Sequence, residues 1–136
     1  MAGEQDLAVL LATMEPALQE EEYVFCTIPL NQHLPPHIDP LGMFREVEGR
    51  TLILETGQAN GLDCPKSAAM RLISLTVHSS FEAVGLTAAV SSVLANNDIS
   101  ANVVAGYYHD HIFVPSVDAG RAIQALRDLS ASLRKH

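Results

Sequence analysis

The chain has 136 residues, 48% of them hydrophobic and 18% charged, which supports a packed core and excludes intrinsic disorder. Eight Lys+Arg against sixteen Asp+Glu leave a formal charge of −8, so a phosphate backbone would bind against the protein's own field, and aromatics at 5% make a poor base-stacking platform. No apolar run reaches the roughly 20 residues of a membrane span, and the residues before Leu7 lack a basic stretch leading into an apolar one. The expectation is a cytoplasmic protein with neither nucleic acid nor membrane as partner.

Leu7, Leu10, Leu11, Met14 and Leu18 recur at helical spacing, which predicts a first helix starting beside Asp6, its N-cap, and running to Leu18. Tyr23 to Ile28 reads as a strand, aromatic and β-branched, that leaves through Pro29. From Pro29 to Gly42 there are prolines at 29, 35, 36 and 40, which predicts a long loop. Met43–Val47 and Thr51–Glu55 form a predicted hairpin turning at Glu48-Gly49, with Leu52 and Leu54 on one face. A short helix broken at Gly61 follows, and Cys64-Pro65-Lys66-Ser67 marks a boundary near residue 66.

The second half begins with a strand from Arg71 to Val77, in which Ile73, Leu75 and Val77 alternate with Leu72, Ser74 and Thr76. Leu86, Val90, Val93 and Leu94 predict a helix stopped by Asn96-Asn97 in the left-handed conformation. Ile99 to Tyr108 and His111 to Val114 predict a hairpin turning at His109-Asp110, and Ala122, Leu126, Leu129 and Leu133 a last helix capped by Asp118. The order from residue 71 is β-α-β-β-α, a ferredoxin-like unit missing its final strand. A strand from the first half must complete the sheet, so two interlocked α+β halves are expected, 1–66 and 67–136, with antiparallel sheets and helices packed on one face.

Strand Leu72 to Val77, the loop His78 to Ser80, the helix opening Phe81-Glu82-Ala83-Val84-Gly85-Leu86 and the return Asn97-Asp98-Ile99-Ser100-Ala101-Asn102-Val103 resemble an ACT domain. With Tyr107 to Pro115 included, the whole chain resembles small bacterial uncharacterised proteins with an ACT-like C-terminal half. The resemblance implies a non-catalytic regulatory module that binds a small ligand of amino-acid type, in the manner of the ACT domains of aspartokinases and phosphoglycerate dehydrogenase. It implies ligand contacts from Ser79, Phe81, Val84, Gly85 and Leu86, with Asn102 and Val103 across from them. A helix N-terminus suits an α-carboxylate, and glycine lets a ligand approach the backbone. Gly85 answers equally to close packing of helix on sheet, which needs no ligand. Half-covered sheets and edge strands further predict a homodimer.

Three other clusters invite chemistry. His109-Asp110-His111 has metal-ligand types, with His78 a candidate further ligand for a metal-dependent enzyme, but a tight turn sends the two imidazoles apart and Asp in a turn is ordinary. His33 and His37 have i, i+4 spacing, but Pro35-Pro36 between them excludes the helix that would give it meaning. Ser79-Ser80 beside His78 has no nucleophile elbow, and no phosphate-loop glycine motif occurs. No catalytic residue, metal or cofactor is therefore expected, and a protein-interaction module using loop 29–42 is the alternative to ligand binding. Cys26 and Cys64, 38 positions apart and without C-x-x-C spacing, read as reduced structural thiols.

Overall fold

The computed structural model describes residues 6–76 and 85–134. Helix α1 (Leu7–Thr13) opens under Asp6, whose carboxylate accepts from the Ala8 and Val9 N–H groups, as the sequence predicts. It is shorter than the leucine spacing implies. Pro16 restricts Glu15 to extended backbone, so the helix stops at Thr13, and Leu18 lies instead in β1 (Pro16–Ile28), a 13-residue strand that begins seven positions before its predicted start. After the proline-rich segment come β2 (Gly42–Arg45), β3 (Arg50–Glu55), the short α2 (Thr56–Ala59) and β4 (Met70–Leu75). Then follow α3 (Leu86–Asn96), β5 (Asn102–Ala105), β6 (Asp110–Pro115), a 3₁₀ turn at Ser116–Asp118 and α4 (Ala119–Arg134).

Two compact units divide the chain, one of Met1–Glu20 with Arg71–His136 and the other of Glu21–Met70. In the first, the strand order is β1-β4-β6-β5, so the first residues of β1 supply the strand that the C-terminal half lacks. Arg71 Nε donates to Gln19 O at 2.9 Å and Thr76 Oγ1 to Glu15 O at 3.0 Å along that seam. Leu10, Leu11 and Met14 enter one cluster with Ile73 and Leu75 of β4, Ile112 and Val114 of β6, Leu86, Val90 and Leu94 of α3, and Ala122, Ile123 and Leu126 of α4. The helices of this unit thus cover one face of its sheet. Ser130, 1% exposed on α4, donates to Ala12 O at 3.1 Å, and Arg134 Nη1 reaches the same carbonyl at 3.1 Å, satisfying the end of α1.

In the second unit the order is β2-β3-β1, with β2 and β3 antiparallel (Met43 opposite Leu52) and β1 antiparallel to β3 (Cys26 opposite Leu52). Glu46 and Gly49 exchange backbone hydrogen bonds at 2.9 and 3.3 Å, so the turn is Val47-Glu48, one residue before the predicted Glu48-Gly49; Gly49 is not left-handed and serves instead a close approach, since a Cβ there would lie 2.7 Å from Ile28 O. The loop from Pro29 to Leu41 takes a helix's place over this sheet: its prolines forbid the helix, and Ile38 and Leu34 reach the cluster of Val24, Cys26, Ile28, Leu52 and Leu54.

Two further turns lie elsewhere than the sequence suggests. The residue with positive φ after α3 is Asp98 (φ 57°), while Asn97 has φ −101°; Asp, too, tolerates the left-handed region by bonding locally. The last hairpin turns at Tyr107-Tyr108, closed by Gly106 N–H to His109 O at 2.9 Å, and Asp110 pairs with Ala105 inside the ladder. Gly106 decides the position, because a Cβ there would sit 2.8 Å from His109 O.

Candidate functional site

The α3 opening is built by a left-handed residue. Gly85 has φ +98° and offers no side-chain oxygen, so the first-turn N–H groups receive no side-chain cap from it. Its Cα faces α1: a Cβ would stand 3.0 Å from Leu7 Cδ2. Gly85 therefore serves packing and backbone conformation whatever else it does. Leu86 is 4% exposed and points into the core, and Val103 packs against the same cluster from β5. Asn102 is exposed at the start of β5, opposite Phe113. Leu86 and Val103 thus share one apolar cluster, with Asn102 beside Val103 at the start of β5; Ser79, Phe81 and Val84 lie outside the described residues.

The histidine triplet follows the turn instead of forming it, so no tight bend drives the two imidazoles apart, and His109 stays near His111. Asp110 and His111 are successive strand residues and leave opposite faces of β6. His111 Nδ1 is 2.9 Å from Ser74 Oγ on β4, and burial, then the neighbouring His109, hold its pKa below the ordinary 6.5, with Asp110 acting the other way. His78 lies outside the described residues, and among those described no three His, Cys, Asp or Glu side chains converge as metal ligands.

Two juxtapositions carry no signal in the linear sequence. An open groove of about 700 Å³ runs between the end of α1 and α4, lined by Glu15, Arg127, Asp128 and Arg134 among others. Cys26 and Cys64 come together in the second unit, where Cys64 packs against the cluster that holds Cys26. The partners in each case stand tens of positions apart, and only the folded chain joins them.

A family model described as an ACT domain matches residues 2–71, and a second ACT-domain model matches residues 67–128. No curated protein sequence matches the chain. Among solved structures, a Vibrio cholerae protein of unknown function, described as a possible transport protein, is 48% identical, with a TM-score of 0.81 over 93% of this chain and 97% of that one. The ligand-free regulatory subunit of aspartate kinase from Thermus thermophilus is similar in fold at 11% identity, TM-score 0.67, over 86% of this chain and 96% of that one. So is aspartate kinase from Clostridium acetobutylicum at 13% identity, TM-score 0.68, over 86% of this chain and 34% of the enzyme. The matches between them run over residues 2–128 and the architecture agrees with both, so the chain belongs to the ACT-domain family, with two such domains in tandem.

Proposed function

We propose that this chain is a non-catalytic regulatory module that binds a small ligand of amino-acid type at the α3 N-terminus and acts as a cytoplasmic homodimer. The observation that carries this reading is the pair of ACT-domain matches. Their overlap at residues 67–71 supports a division into repeats 1–66 and 67–136. The first turn of α3, to which Gly85 brings no side-chain acceptor, supports an anionic ligand group, since a carboxylate accepts from helix N-terminal N–H groups. In this reading the Gly85 backbone and Asn102 hold the ligand's polar end, Leu86 and Val103 form the floor, and Ser79, Phe81 and Val84 enter on the family resemblance alone. Among the described residues no helix is long and apolar enough to cross a membrane.

The edge strand β2 supports the dimer: Met43 is 53% exposed and Phe44 71%, on a strand with one side unpaired. The same stretch favours a second reading, a protein-interaction module, because Leu30, Leu41 and Val47 beside it are exposed as well.

A thermal-shift series with each of the twenty amino acids tests the ligand. One of them raises Tm in proportion to the logarithm of its concentration above Kd, and Asn102→Ala weakens that response while its own Tm stays near wild type. No shift with any of them at millimolar concentration overturns the ligand assignment and leaves the interaction module. Light scattering of the eluting peak gives the mass in solution, and a monomer at about 100 μM overturns the dimer.

A further inference from the structure

Cys26 lies on β1, 4% exposed, and Cys64 lies in the segment that returns along it. That segment is held in register by an antiparallel bridge between Cys26 and Lys66, by Thr27 N–H to Pro65 O at 3.3 Å, and by Ser67 N–H to Phe25 O at 2.8 Å. The Ser67 hydroxyl accepts from Phe25 N–H at 2.9 Å, and Lys66 Nζ donates to Leu62 O at 2.7 Å and Cys64 O at 3.1 Å. Cys64 sits two residues before the bridge, so it is the diagonal neighbour of Cys26. Cys26 belongs to the cluster of Val24, Ile28, Leu52 and Leu62, and Cys64 packs against that same cluster.

We propose that Cys26 and Cys64 form a reversible intramolecular disulfide when the protein meets a peroxide, so that the pair is a redox-responsive clip between β1 and the segment 62–67. The backbone pairing sets the two cysteines as diagonal neighbours against one cluster, and closing the bond draws the two segments together.

The chemistry divides between the two residues by exposure. Cys64 is half-buried, whereas burial, then the neighbouring Cys64, push the Cys26 thiol up to about 11, with Lys66 drawing it partly back. Cys64 is therefore the sulfur that attacks. Its thiolate takes the distal peroxide oxygen, the O–O bond breaks, and the departing hydroxide takes up a proton to leave as water, with Cys64 a sulfenic acid. Cys26 then gives up its proton and attacks the Cys64 sulfur; the S–S bond forms, the S–O bond breaks, and the leaving hydroxide takes that proton as a second water. Two thiols are oxidised, one hydrogen peroxide is reduced, and a dithiol reverses the bond by exchange.

The test uses the full chain, reduced, freed of reductant and exposed to a few equivalents of hydrogen peroxide. The expected product is monomeric in non-reducing electrophoresis, lighter by about 2 Da, joined between the Cys26 and Cys64 peptides and restored by dithiothreitol. Because the bond closes a long loop, its Tm stands on the order of 10 °C above the reduced protein. Cys26→Ser stops at a sulfenic acid on Cys64 that dimedone traps. Wild-type protein that gains oxygen on its cysteines without the cross-link, or that links only between chains, overturns the proposal without reference to any variant.

Discussion

Gly85 shows how one residue answers two demands. Its φ of +98° and the 3.0 Å approach to Leu7 both exclude a Cβ, so Gly85→Ala loses about 1–2 kcal/mol in urea unfolding, with or without ligand. A substitution there reports on packing first, which makes Asn102 the better probe of binding. His111 carries a second prediction at this scale. Its folded pKa lies below the unfolded 6.5, so the unfolded chain binds the proton first on acidification. Stability owed to neutral His111 is therefore complete above about 6.5 and is lost as pH falls through the lower folded value. Urea midpoints at pH 7.5 and 5 check this: His111→Asn shows a smaller drop between them than wild type. The sequence marks Gly85 and the histidines as notable; the Ser74 partner of His111, from a strand 37 residues away, is visible only in the fold.

At the scale of elements, helix α1 is the instructive case. Its leucine spacing continues past Met14, but the Glu15-Pro16 step forces extended backbone, and Leu18 keeps its apolar role from a strand. Its start was readable because an N-cap acts locally, and Asp6→Ala costs about 1 kcal/mol of stability. Its last carbonyls are satisfied from α4. Ser130, buried, donates to Ala12 O, so Ser130→Ala removes a partner from the last carbonyls of α1 and lowers unfolding free energy by about 1–2 kcal/mol in denaturant titration. The second hairpin teaches the same lesson: His109-Asp110 has turn chemistry, yet Gly106 permits the closer approach and sets the ladder register two residues earlier.

At the scale of the molecule, the compact unit that contains the C-terminal half also contains Leu10, Leu11 and Met14 and the start of β1. A fragment of residues 67–136 lacks that helix and strand and exposes the core they cover. Expressed alone, it shows no cooperative thermal transition by circular dichroism, whereas a chain joining residues 1–20 to 71–136 through a flexible linker recovers one. The interlocking follows from counting elements, since β-α-β-β-α leaves a sheet one strand short. Sequence alone determined the local features: the Asp6 cap, the presence of the first hairpin, the proline loop, the periods of the core helices and strands, and through them the α+β class and the ACT resemblance. Each of these rests on forces acting between residues a few positions apart, or on a side-chain period that burial imposes. Tertiary structure decided what depends on distant partners: which strand completes which sheet, what satisfies the last carbonyls of α1, what Gly85 packs against, and that Cys26 meets Cys64. Those outcomes are set by burial and hydrogen bonding across tens of residues, which no local pattern encodes.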